Sequence, residues 1–435
     1  MADYAWTPND DYIANANVTR LMRTHGLATI DDLRRRSVND VEWFWDAVVK
    51  DLGIEFSTPY QDVLDDSDGA PWAKWFTGGR INLVWNCVDR WSGGPSKDQI
   101  ALIGESETGT TRALTFADLR REVDKVAAAL REAGVGKGEA VAVYMPMVPE
   151  AVVAAYAIAK IGAIYMPIFS GFAPSAVAAR LQDAKAKVVF TADGTWRRGR
   201  HGLMKPSADE AVAESPSVER VVVMRNIGED VPMTEGRDVF WDDFVAPHEG
   251  AVVECEDTES EDVFMIAYTS GTTGKPKGAV HVHGGFLVKI AGECAYQLDI
   301  HSGEVFYWFT DMGWIMGPLS MVGAHANGAA MVMYEGAPDY PEPDRVWASV
   351  ERHRVAMLGV SPTLIRALKQ QGDEWPQRHD LSSLRILGST GEPWNPEPYE
   401  WLQRVAGGGR VPIINISGGT EVGACFLSCF PVESI

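Results

Sequence analysis

YTSGTTGKPKGAVHVHGG, residues Tyr268 to Gly285, continues an apolar run, VFMIAY (Val263 to Tyr268), that has the length and composition of a buried strand. The strand empties into a loop of Thr, Ser and Gly with one Pro and two Lys. Such a loop is suited to phosphate. Gly271, Gly274 and Gly278 let backbone N–H groups approach a polyphosphate closely, and Thr269, Ser270, Thr272 and Thr273 add hydroxyl donors. Lys275 and Lys277 add charge that the loop can bring over the ligand. This is not a Walker loop, which needs G-x-x-x-x-G-K-[ST]: Gly271 and Gly274 are too close, and Pro276 follows the Lys.

Outward from this loop, apolar runs alternate with helical patterns. Ala330 to Gly336, Val355 to Pro362, Leu384 to Pro393 and Val411 to Glu421 each contain a strand that ends in a Gly-rich or polar loop. Upstream, Thr115 and Asp118 form a capping-box pattern ahead of an apolar face at Phe116, Leu119, Val123, Val126 and Leu130. Strands at Ala140 to Met145, Ile164 to Ile168 and Val188 to Asp193 follow, separated by helices. Unbroken apolar strands between helices indicate parallel pairing with both faces covered, so the fold class is α/β. The expected division is an N-terminal extension over 1–107, a first α/β subdomain over 108–262 and a second over 263–435. Trp43, Trp45, Trp72, Trp75, Trp85 and Trp91 are read as packing anchors of the extension, and Pro206 to Ser217 as an exposed linker or surface helix.

The chain has 435 residues, 46% of them hydrophobic, enough for a sizeable core. Its formal net charge of −21 argues against nucleic acid or an anionic membrane as the main partner, so an anionic ligand needs a local basic cluster. Thr195 to Lys205, TWRRGRHGLMK, is the one dense basic patch. Five scattered Cys read as reduced thiols. The acidic opening MADYAWTPNDDY is read as lacking a secretory leader, and no run approaches the ~20 apolar residues of a membrane span, which suggests a cytoplasmic protein. His281 and His283 have the spacing of one strand face and are read as structural or as lining the nucleotide cleft.

TSGTTGKPKG resembles the phosphate loop of the AMP-forming adenylating enzymes, and from roughly Val41 onward the chain is similar to their acetyl- and propionyl-CoA synthetase branch, with some acetoacetyl-CoA synthetase character. The resemblance implies two stacked α/β subdomains with mostly parallel sheets, and a small β-rich third part that is incomplete here. It implies ATP, Mg²⁺ and CoA as ligands and a carboxylic acid as substrate. Adenylation drives a carboxylate against the α-phosphate, so cations and fixed donors must neutralise the crowded anions. In SGGTEVG, Thr420 is implied to touch the α-phosphate and Glu421 to hold Mg²⁺, with Ser417, Gly418 and Gly419 beside the nucleotide; Lys275 joins Thr420 and Glu421 as a catalytic candidate. Gly391, Glu392 and Pro393 are implied to line the adenine face, and Asn415 stands where the branch carries an Asp.

DMGWIMGP resembles one wall of the acyl pocket, with Trp314 as floor, Ile315 and Met316 beside it, and Thr390 and Gly418 opposite. The acetyl-CoA branch presents paired Trp where this chain has Ser417 and Gly418. Losing an indole that covers roughly 150–250 Å² leaves room for a short- to medium-chain or branched acid larger than acetate. Arg197 and Arg200 are implied to grip the CoA nucleotide phosphate. Family members continue through a hinge to a small mobile domain with a catalytic Lys; that part is not in these 435 residues, and little turnover is expected without it. Two other readings stay open: an adenylating domain that loads a carrier protein, and a non-catalytic nucleotide-binding fragment. A P-loop phosphotransferase is an outsider, separable by ADP rather than AMP as product.

Overall fold

The computed structural model describes residues 4–269 and 276–435. Two seven-stranded sheets carry the chain. The first runs Asp238–Phe240, Arg220–Met224, Val188–Ala192, Ala140–Val143, Ile164–Pro167, Val263–Thr269 and Lys277–Val282; every pair is parallel except the last. The second runs Ile413–Asn415, Ile386–Ser389, Met357–Val360, Val305–Trp308, Ala330–Glu335, Ile100–Ser106 and Thr111–Thr115, again antiparallel only at the last pair. The α/β class and the mostly parallel sheets are as the sequence indicates. A two-stranded antiparallel sheet, Ser417–Gly418 with Cys425–Leu427, lies near the C-terminus.

The sheets do not follow the expected division of the chain. Val263–Thr269, assigned from chain order to the second subdomain, completes the first sheet, and Ile100–Ser106, assigned to the extension, completes the second. Each is one arm of an antiparallel hairpin. A hairpin forms locally and can pair with whichever sheet edge lies open, so chain order does not reveal its sheet.

Helices buried on nearly all sides fill the space between the sheets, as expected for helices apolar all round. In Pro149–Lys160 every residue is buried; Pro at its first position supplies a preset φ where no N–H partner is needed. It packs on strands of both sheets, while Met316–Ala326 lies on the second sheet and against His283–Tyr296. Helix Phe116–Glu132 begins with the expected capping box of Thr115 and Asp118. Four short helices, from Asp10–Asn15 to Val41–Asp51, dress the outside, and Asn17 donates to the carbonyls of Ala295 (3.1 Å) and Ile300 (3.0 Å). Of the six tryptophans read as anchors, Trp43, Trp45, Trp75 and Trp91 pack on the core; Trp72 is 72% exposed, and Trp85 instead donates its indole N–H to Glu55 at 2.7 Å. The segment read as an exposed linker or surface helix overlaps helix Lys205–Ala213, with Lys205 buried against Asp209 and Asp238. All five cysteines are free thiols. Among the described residues no helix is long and apolar enough to cross a membrane.

Two buried histidines couple this core to pH. His283 accepts from the Leu83 N–H on Nδ1, and His325 donates from Nε2 to the Ala101 carbonyl at 2.9 Å with its Nδ1 facing the Tyr156 hydroxyl. Burial holds His283 down to about 3 and His325 down to about 4, against an ordinary 6.5. Between those values the unfolded chain takes up protons that the folded chain refuses. Stability is therefore complete above pH 6.5 and falls as pH is lowered, by about 2 kcal/mol for the pair between pH 6.5 and 5.5. Urea unfolding at the two pH values measures this; equal midpoints would refute it.

Candidate active site

The loops that leave the carboxyl ends of both sheets enclose one cleft of about 880 Å³. This is where ligands of open parallel sheets bind. Phe169 to Gly171 follow the Ile164–Pro167 strand, Phe309 to Asp311 and Trp314 follow Val305–Trp308, Thr390 to Glu392 follow Ile386–Ser389, and Ile416 with Gly418 to Thr420 follow Ile413–Asn415.

The acyl-wall candidates converge here. Trp314, Ile315, Met316, Thr390 and Gly418 all line the cleft. Trp314 is 53% exposed and its ring lies 5.3 Å from that of Phe169. The loop reaches this position because Gly313 has no side chain: a Cβ there would sit 2.1 Å from the Phe169 nitrogen. Asp311 ties the two sheets together at this point, accepting from the Ser170 hydroxyl (2.6 Å) and the Gly313 N–H (2.8 Å); burial raises its pKa and these donors oppose the rise. Gly418 also has a steric reason, since a Cβ there would lie 2.0 Å from the Ala424 carbonyl oxygen across the small antiparallel sheet.

The Thr–Glu turn is held from two sides. His281 donates from Nε2 to the Thr420 carbonyl at 2.8 Å, and the Cys425 N–H donates to Glu293 at 3.0 Å, a buried carboxylate also held by Lys289 at 2.9 Å. Gly423, at φ +71°, brings the turn onto the His281 ring. Thr420 lines the cleft; Glu421 does not, but its Oε2 lies 3.3 Å from where a Cβ of Gly419 would be, at the cleft rim. Burial lowers the His281 pKa, so the ring stays neutral while its Nε2–H holds the turn.

Thr269 and Lys277 are register partners at the end of the Val263–Val282 hairpin. Ser270, Gly271, Thr272, Thr273, Gly274 and Lys275, the body of the expected phosphate loop, lie outside the described residues. Gly278 sits inside the strand opposite Tyr268, where a Cβ would meet the Ile266 side chain at 2.8 Å. Thr269 and Lys277 themselves are not among the residues lining the cleft.

On the expected adenine face, Gly391 and Glu392 line the cleft, whereas Pro393 and Asn415 do not; nor does Ser417 of the Thr–Glu motif. The Glu392 carboxylate is engaged behind the loop, accepting from the Thr363 hydroxyl and from the Thr363 N–H at 2.8 Å and pairing with Arg366; the Thr363 hydroxyl first, and then Arg366, draw its pKa down. Asn415 is paired in register with Ser389 at the end of its strand. Arg197 lines the cleft and Arg200 does not; they face each other across the hairpin of Gly194–Arg197 and Arg200–Leu203. Among the described residues no group of three or more His, Cys, Asp or Glu is placed to hold a metal by itself.

Sequence reasoning passed over Phe169, Ser170 and Glu335. The signal for the first two was available in the polar SG that ends the IYMPIF run; Glu335 sits within an otherwise apolar strand, and only its neighbours across the two sheets mark it out.

The family model described as AMP-binding enzyme matches residues 89–434, and that of the acetyl-coenzyme A synthetase N-terminus matches residues 30–87. The chain therefore belongs to the family of AMP-binding enzymes, in its AMP-forming acyl-CoA synthetase branch. It is 42% identical over 430 residues to acetyl-coenzyme A synthetase of Mycolicibacterium smegmatis, covering 98% of this chain and 44% of that protein. It is 43% identical over 428 residues to acetyl-coenzyme A synthetase of Streptomyces avermitilis, covering 98% of this chain and 63% of that protein. Acetoacetyl-CoA synthetase from Streptomyces lividans superposes with a TM-score of 0.93 at 31% identity, over 100% of this chain and 67% of that one. The chain thus spans between 44% and 63% of the length of those two curated relatives.

Proposed function

We propose that the protein acts in an AMP-forming carboxylate–CoA ligase, joining a carboxylic acid to ATP as an acyl-adenylate and then to CoA as a thioester. The observation that carries this reading is the hydrogen bond from His281 to Thr420. It joins the strand that follows the expected phosphate loop to the turn that carries Thr420 and Glu421. In this reading Thr420 and the loop donors bind the α-phosphate and orient it for in-line attack by the carboxylate. Glu421 fits a metal-holding role, because its carboxylate lies beside Gly419 at the cleft rim. Mg²⁺ held there would supply charge neutralisation on the phosphates. Formation of AMP and pyrophosphate from ATP, a carboxylic acid and CoA tests the reading; ADP as product would overturn it.

The acid proposed is larger than acetate, of short to medium chain or branched. Its support is the absence of a side chain at Gly418, which lines the same cleft as Trp314. Each further methylene buried contributes ~0.8 kcal/mol, so butyrate is expected to exceed acetate in kcat/KM by about tenfold, with a broad rather than single optimum across C3–C8 acids. A clear acetate preference in a pyrophosphate-release panel would sink the enlarged pocket. Gly418→Trp is not expected to convert the pocket cleanly to acetate, because even a Cβ at that position collides with the Ala424 carbonyl.

A further inference from the structure

The hairpin that carries Arg197 and Arg200 is two short strands, and residues 200–203 are all exposed. An isolated two-stranded hairpin is marginal in water, so its place at the cleft needs another cause. That cause is a pair of carboxylates beneath it. Glu335 Oε1 accepts from the Thr195 hydroxyl (2.9 Å), the Trp196 N–H (3.0 Å) and the Asn226 side-chain amide (2.7 Å). Glu107 accepts from the Gly199 N–H (2.6 Å) on one oxygen and the Ala337 N–H (2.7 Å) on the other. Arg198 pairs with Asp339 at 2.8 Å. Gly199, at φ +69°, lets the hairpin tip close on Tyr340, since a Cβ would lie 2.1 Å from the Tyr340 hydroxyl.

The hairpin leaves the first sheet, whereas Glu335 ends a strand of the second, so these bonds hold it across the cleft. Glu335 is 4% exposed and lines the cleft together with Arg197. Burying a carboxylate is costly unless donors surround it, and three donors on one oxygen meet that need better than a neutral amide could. Burial raises the Glu335 pKa and the same three donors oppose the rise.

We propose that Glu335, helped by Glu107, is the positioning residue that aims Arg197 at a phosphate monoester on the nucleotide end of CoA. This rests on the reading of Arg197 and Arg200 as the CoA grip. Neither carboxylate touches the ligand; each acts through the backbone and hydroxyl donors of the hairpin.

The test uses the 435-residue chain and two readouts: amide hydrogen exchange over residues 195–199, and the ratio of affinities for CoA and 3′-dephospho-CoA by calorimetry. Glu335→Gln is expected to speed exchange at Trp196 and Gly199 by about tenfold and to lower the CoA preference by about fivefold, as loss of charge-assisted hydrogen bonds would. Thr195→Val, which removes one donor and keeps the charge, should shift both readouts the same way by less. Arg197→Ala should erase the preference without changing exchange. Unchanged exchange in both Glu335→Gln and Thr195→Val overturns the positioning role. Exchange that rises as expected, with a CoA preference absent from the parent chain or retained in Arg197→Ala, instead overturns the CoA reading on which the ligand assignment stands.

Discussion

In a version extended by the family's C-terminal domain, Glu421→Ala is expected to lower acid-dependent pyrophosphate release from ATP by about a hundred- to a thousandfold, the range found when one preorganised charge-stabilising group is removed from a phosphoryl or acyl transition state. Glu421 stands at the cleft rim beside Gly419, on a turn fixed by His281 and Glu293. A carboxylate tied up in an ion pair, as Glu392 is by Arg366, would not serve this purpose. The same variant should lose the strengthening of ATP binding by Mg²⁺, which calorimetry with and without the metal reads independently of turnover. Should Glu421→Ala keep both the parent rate and the parent Mg²⁺ response, the metal assignment is wrong, and Thr420 alone would remain as the candidate of that motif.

Lys160→Met is expected to destabilise the fold by about 3–5 kcal/mol, seen as a lower urea midpoint. Lys160 ends a helix buried between the two sheets and is itself fully buried. Its Nζ bonds Asp89 at 2.9 Å and Asp124 at 2.5 Å, both also buried. Arg120 stands further off, 3.9 Å and 3.6 Å from the same two carboxylates. Burial raises the Asp124 pKa and Lys160 opposes that rise, so removing the ammonium leaves two acids without their main partner. The penalty comes from the stranded charges rather than from loss of a favourable pair, because burying such a pair is itself costly. Lys160→Met with Asp89→Asn and Asp124→Leu should therefore recover most of the loss. A triple variant no more stable than the single one would show that packing, not charge, is at stake.

Much of the fold was legible because its signals are local. Thr115 and Asp118 satisfy the first N–H groups of their helix whatever the rest of the chain does, and Pro149 and Pro174 open helices for reasons confined to one residue. The strand before Tyr268 and the runs ending at Glu335 and Ser389 are apolar on both faces because helices cover both. The cleft was legible in part. Trp314, Thr390, Gly418 and Thr420 fall together because each follows a parallel strand, and parallel strands deliver their loops to one end. Pro393 and Asn415, read from the same motifs, lie outside the lining: the direction of Pro393 depends on what its loop leans against, and Asn415 is held in its strand beside Ser389. Glu392 was assigned to the adenine face, yet its carboxylate is drawn to Thr363 and Arg366 on a neighbouring helix that the motif does not contain.

By itself the sequence determined the α/β class, the run of helices and strands, and the residue types that each strand-end loop carries, since these depend on residues a few positions apart. Tertiary structure decided the rest. It placed the Val263–Val282 and Ile100–Thr115 hairpins on sheets other than those chain order suggests, set His281 against Thr420, and seated the arginine hairpin on Glu335. Each of those outcomes turns on which sheet edge stands open, or on which buried acceptor a distant donor meets. Both are properties of packed elements that no short stretch of chain encodes.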